Sequence, residues 1–133
     1  MSWLFLGALL LVLGFAAYVR LAPQDAERWR LTGPMVALGD HAEAGSFRAV
    51  RAYEGNWAAV EAVLLSTPRI QALGGWDDQR LYVTRSALWG FPDYSTVRLA
   101  DGQIEIYGRL RFGKSDLGVN QARIRNWLTD LKL

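Results

Sequence analysis

The sequence predicts an α+β domain preceded by an N-terminal transmembrane helix, and three observations predict it. Residues 1–19 carry no charged side chain; an Asp101-Gly102 pair separates two alternating stretches; and segments with helical spacing lie before and after the strand-rich middle. The expected architecture is a largely antiparallel sheet of four to five strands with two helices packed on one face. It divides into an anchor over 1–20, an irregular linker over 21–45 and an α+β domain over 46–133.

Trp3 to Val19 reads WLFLGALLLVLGFAAYV and is followed at once by Arg20. As a helix this run spans roughly 25 Å, within the range that crosses a bilayer, with Trp3 and Tyr18 suited to the two interfaces. Ala16 and Ala17 supply the small residues of a cleaved secretory signal, but no Lys or Arg precedes the apolar run. An uncleaved, single-pass anchor is therefore expected. Arg20, Arg28 and Arg30 follow the helix, so the positive-inside count by itself places the soluble domain in the cytoplasm.

Pro23, Gly33, Pro34, Gly39 and Gly45 mark the linker. Phe47 to Tyr53 has partial alternation and predicts the first strand. Asn56 is placed to cap a helix carrying Trp57, Val60, Val63 and Leu64, ended by Pro68. A short strand over 69–73, a Gly-Gly-Trp-Asp-Asp turn and a strand over 80–89 follow. The Asp101-Gly102 hairpin joins 95–100 to 103–112; on its second strand Ile104, Ile106, Gly108, Leu110 and Phe112 share the core face, and Glu105, Tyr107, Arg109 and Arg111 share a polar one. A last helix, capped by Ser115 or Asp116, is expected to bury Leu117, Ile124, Leu128 and Leu131, with Trp127 alongside.

Composition excludes several chemistries. The chain has no Cys, which removes thiolate metal sites, cysteine nucleophiles and disulfides. A net charge of +2 gives no footprint for nucleic acid. Thirteen of the fifteen basic residues are Arg, a bias that favours bidentate pairing with carboxylates or phosphates and that GC-rich coding also produces. His41, the sole histidine, lies in the linker and reads as a surface residue. Asp77 and Asp78 read as a turn, and Ser66, Ser86 and Ser95 lack a histidine in a triad context. No GxGxxG, P-loop or HExxH motif occurs, so neither a cofactor nor a metal is expected, and the six tryptophans read as packing residues.

One constellation stands out. Arg109 and Arg111 share a strand face, Ser115 and Asp116 open the last helix, and Asn120 and Arg123 continue the stripe at i+4 and i+7 from Asp116. Such a cluster suits a bound anion. Equally, Asp116 can cap the helix and pair with the arginines, making the cluster a brace.

The stretches LWGFPDYSTV at 88–97 and IYGRLRFGKSDLGVNQARI at 106–124 resemble the domain of unknown function 1499 family. Its signature has an Arg-rich strand leading into Phe-Gly-x-Ser-Asp-x-Gly-x-Asn-x-x-Arg, matched here by Phe112, Gly113, Ser115, Asp116, Gly118, Asn120 and Arg123. Tyr18-Val-Arg-Leu-Ala-Pro23 after an apolar helix resembles the alphaproteobacterial members. Leu110 departs from the family's usual Ser, and Gln121 from its usual basic residue. The resemblance implies no activity. It does imply exported or membrane-tethered envelope proteins, which places the domain on the periplasmic side of a bacterial inner membrane, against the charge count. The resulting expectation is a non-enzymatic accessory subunit whose partners are the bilayer and other membrane proteins, with a lipid-headgroup or small-anion binding module as the alternative.

Overall fold

The computed structural model describes residues 2–133 and is an α+β fold built on one antiparallel sheet. Helix α1 runs Ser2–Leu21, a 3-10 turn covers Ala26–Trp29, and strands β1 (Gly39–Glu43) and β2 (Ser46–Ala52) form a hairpin. Helix α2 (Trp57–Leu64) leads to β3 (Ile70–Trp76), β4 (Gln79–Arg85), β5 (Pro92–Ala100), β6 (Gln103–Leu110) and helix α3 (Val119–Asp130). The strand order is β1-β2-β6-β5-β4-β3. The sheet thus has six strands rather than four or five, and three helices include the N-terminal one.

The extra strand lies in the stretch predicted to be linker. Gly39–Glu43 has little intrinsic β preference, and what holds it is pairing with β2, from Gly39 against Val50 to Glu43 against Ser46. Other boundaries shift for local reasons. Gly74, at φ +132, carries an irregularity in the β3–β4 pairing, so Gly74, Gly75 and Trp76 belong to the strand and the turn shrinks to Asp77-Asp78. The strand predicted to reach residue 89 stops at Arg85, and β6 stops at Leu110 rather than Phe112. The β5–β6 turn is as expected: Asp101 and Gly102 both take positive φ, 55° and 69°, which a two-residue hairpin of matching twist requires.

Helices α2 and α3 cover one face of the sheet. Val60 and Leu64 from α2 and Ile124, Trp127 and Leu128 from α3 pack on Phe47, Ala49, Tyr82, Val97, Ile104 and Ile106. Asn56 caps α2 by accepting the Ala59 N–H at 3.0 Å. Gly108 admits α3 closely, since a Cβ there would stand 2.6 Å from Asn120 Oδ1.

The opposite face, predicted to be a polar surface, is covered as well. Residues 22–38 run back across it as a strap. Trp29 stacks on Tyr94 with ring centroids 4.1 Å apart, and Leu31 exchanges two 2.8 Å hydrogen bonds with the Gln79 side chain. Arg98 donates to the Gly33 carbonyl, and Thr96 to that of Trp29.

Helix α1 is long and apolar enough to cross a membrane, a property shared by anchors and signal sequences. Most of its side chains are exposed, but its C-terminal end is built into the domain. Val19 is buried, Phe15 meets Phe91, Tyr18 meets Phe112, and Arg20 donates to the Leu88 carbonyl at 2.8 Å.

Candidate functional site

Strand pairing decides which predicted site residues meet. Arg109 lies opposite Tyr94 in the β5–β6 ladder, on the strap face, and α3 packs on the other face. The six-residue constellation therefore divides. Arg109 is caught beneath the strap, donating to the Trp29 carbonyl at 2.9 Å and to Thr96 Oγ1 at 2.7 Å, its guanidinium stacked over Trp29 and Tyr107. Burial lowers its pKa to about 10, so it remains a cation at neutral pH. Arg111 also turns to the strap side and donates to Tyr94 Oη.

Asp116, Asn120 and Arg123 do come together. Asp116 Oδ1 accepts the Gly118 N–H, and its Oδ2 accepts both the backbone and side-chain N–H of Asn120, the latter at 2.7 Å. Asn120, fully buried, accepts from Arg123, whose guanidinium reaches Asp93 on β5 at 3.4 Å. The chain from loop to helix to strand braces α3 against the sheet. Helix α3 starts at Val119, later than predicted, because Gly118 adopts φ +80 and ends the loop. Neither Ser115 nor Asp116 is its N-cap; Ser115 instead accepts the Leu117 N–H. Leu117, predicted to be buried, is 93% exposed at φ +55 in that loop.

Burial pushes the Asp93 carboxyl above the usual range; Arg123 pulls it back and the Asp116 carboxylate adds to the rise. Burial also acts upward on Asp116, but the hydrogen bonds from Asn120 and Gly118 together outweigh it and hold that carboxyl below the usual range.

The brace forms one wall of a cleft of about 630 Å³ at the foot of the domain, where β4 ends, β5 begins and α1 arrives. Its other walls are Phe15 of α1, the 67–69 segment, Thr84, Arg85, Phe91 and Phe112. Thr84 was not singled out by the sequence, yet it is the most informative residue here: it is 5% exposed, it lines the cleft, and its hydroxyl has no hydrogen-bond partner. An unsatisfied buried hydroxyl costs about 1–3 kcal/mol, so its position calls for a partner. No sequence signal marks such a residue, because Thr on a half-buried strand is ordinary.

The remaining predicted features lie elsewhere. His41 is exposed on β1, its Nε2 2.8 Å from the Ala37 carbonyl. Among the described residues no group of three or more His, Asp or Glu side chains is placed to hold a metal ion.

With the geometry in place, comparison with known families decides one point. Residues 36–131 match the family described as "Protein of unknown function (DUF1499)". The chain belongs to the DUF1499 family. The match takes in all six strands, α2 and α3, and starts after α1 and most of the strap. It therefore contains Asp93, Asp116, Asn120 and Arg123 of the brace, together with Thr84. No curated protein matches the chain.

Proposed function

We propose that this DUF1499 member is a single-pass, membrane-anchored, non-enzymatic binding module whose cleft takes a small amphiphile at the membrane surface. The observation that carries this reading is that anchor and domain wall the cleft together: Phe15 belongs to α1, and Thr84 belongs to the sheet. Signal cleavage after Ala17 would strip Phe15 from the cleft and leave Val19 without its helix, which supports retention of α1. A binding role fits better than catalysis because the polar side chains of the brace are committed to one another, with both Asp116 oxygens already accepting hydrogen bonds. On the family resemblance we place the domain outside the cytoplasm, and a reporter fused after Leu133 is expected to be active only in the periplasm.

Mass spectrometry of the full chain extracted from membranes in mild detergent tests the central reading. The expected result is an uncleaved chain of 14.9 kDa that carries a lipid-sized adduct. A product lacking residues 1–17 overturns the tether. A chain found only with a stoichiometric second protein and no adduct overturns the binding module in favour of an accessory subunit.

A further inference from the structure

Resting on that reading, we infer that the cleft recognises the phosphate headgroup of an anionic membrane lipid, held by Arg69, Arg85 and Thr84, with the acyl chain leaving along α1. Three observations converge on this assignment.

The first is the distribution of charge. On the strands and on α3, Arg48, Arg51, Arg80, Arg98, Arg123 and Arg125 are each paired with a carboxylate. Six arginines form no ion pair among the described residues: Arg28 and Arg109 lie at the strap, stacked on Trp29, and the other four, Arg20, Arg69, Arg85 and Arg111, lie together at the foot. Arg20 binds the Leu88 carbonyl, Arg85 binds the carbonyls of Val19 and Gly90, Arg69 binds the carbonyl of Arg85, and Arg111 follows the end of β6. Asp93 and Asp116 at the same end are already engaged within the brace. The foot thus presents guanidiniums bonded only to neutral groups, carbonyls for Arg20, Arg69 and Arg85 and the Tyr94 hydroxyl for Arg111, a cationic surface suited to phosphate.

The second is shape. A smaller apolar cleft of about 450 Å³, lined by Leu11, Val12, Phe15, Trp89 and Phe91, shares Phe15 and Phe91 with the larger one. The two clefts adjoin at Phe15 and Phe91, with the charged and hydroxyl side chains on the sheet side and apolar side chains along the anchor, the order of headgroup and tail. The third is the rim. Leu88 is 75% exposed, and with Trp89 it places apolar side chains beside the arriving helix, where they enter the bilayer interface. A lipid then enters sideways from the membrane, and its phosphate oxygens supply the acceptor that the Thr84 hydroxyl lacks.

Native mass spectrometry of the full chain in a neutral detergent tests the assignment, titrated in parallel with phosphatidylglycerol and phosphatidylcholine of identical acyl chains, with inorganic phosphate as a third arm. Phosphatidylglycerol is expected to bind about tenfold more tightly than phosphatidylcholine, whose trimethylammonium cancels the charge of the same phosphate and is repelled by the guanidiniums of the foot. Arg69→Gln should remove that preference, and Arg28→Gln, which changes a guanidinium lining neither cleft, should retain it. Thr84→Val, which keeps shape and removes the hydroxyl, should weaken phosphatidylglycerol binding even if Arg69→Gln fails to fold. Equal binding of the two lipids, lost together in Phe15→Ala, overturns the anionic headgroup and leaves the binding module standing. Absence of any lipid adduct overturns both, and inorganic phosphate that displaces phosphatidylglycerol overturns the lipid as the source of the phosphate.

Discussion

The two faces of the sheet are closed by different means. Under α2 and α3 the contacts are apolar, because a helix satisfies its own backbone and asks only for surface to bury. Under the strap a small apolar cluster of Trp29, Leu81, Val83 and Tyr94 is flanked by polar contacts, because residues 22–38, with only a 3-10 turn of their own, leave carbonyls and amides for the sheet to satisfy. Gln79, Thr96, Arg98 and Arg109 do so side by side, and Arg98 is held in turn by Glu105, fully buried, with bonds of 2.6 and 3.0 Å. A strand face rich in polar residues is thus the receptor for the chain's own linker. The same linker ties α1 to the body, so the polar face also fixes where the anchor arrives.

The largest expected effect tests whether the strap face depends on charge compensation. Glu105→Gln leaves Arg98 buried without its carboxylate and loosens Arg48, 3.3 Å away, at an expected cost of about 3–5 kcal/mol in thermal or denaturant unfolding of the detergent-solubilised chain. Replacing Glu105 and Arg98 together by Met should restore much of that loss; no recovery would mean that Arg98's bond to the Gly33 carbonyl, rather than the pair, holds the strap. On the other face Ile124→Ala should cost about 3 kcal/mol through the cavity it leaves, and a second-site Met should not rescue it.

Between these lies the brace, where a polar group sits on the apolar face. Asn120→Ala removes the partner of both Asp116 and Arg123 beneath Gly108, with an expected loss of about 2 kcal/mol. A loss confined to hydrogen exchange in α3, with the strap amides unchanged, would show that the two faces open independently.

What the sequence made legible follows the same division. The helix face is visible in periodicity: Val60, Leu64, Ile104, Ile106, Ile124 and Leu128 fall on the expected stripes and are buried. Asn56 and Asp101-Gly102 are visible because caps and tight turns are decided within four residues. The strap face is not visible, because Glu105 and Arg109 alternate as a solvated face would, and only the return of Trp29, 80 positions from Arg109, makes them interior. Strand β1 is invisible for a related reason, since its order comes from β2. Leu117 continues the helical spacing of α3 in sequence, but the left-handed Gly118 separates it from the helix and leaves it in the loop. Of the candidate site, half was legible: Asp116, Asn120 and Arg123 share one helix end, but which sheet face receives Arg109 depends on register.

The smallest effect is a pH dependence that separates the brace from the edge of the sheet. Asp116 is held below the usual carboxylate range, so the stability it contributes is present at neutral pH, above its unfolded value of about 4, and is lost as pH falls through that value toward the folded one. Asp93, raised by burial, has the opposite sign: ionising it in the fold costs free energy, so its contribution falls as pH rises through about 4. The two carboxyls oppose each other within one cleft. Asp116→Asn should therefore flatten the acid limb of the unfolding profile between about pH 3 and 5, and Asp93→Asn should steepen it. Asp40, lowered by Arg51 and Arg125 against the upward push of burial, loses stability toward acid in the same sense as Asp116. Its partners are partly exposed, so Arg125→Gln should cost no more than about 0.5 kcal/mol and leave the slope nearly unchanged. If Arg125→Gln flattens the acid limb as much as Asp116→Asn does, the acid sensitivity belongs to the β1 edge rather than to the brace.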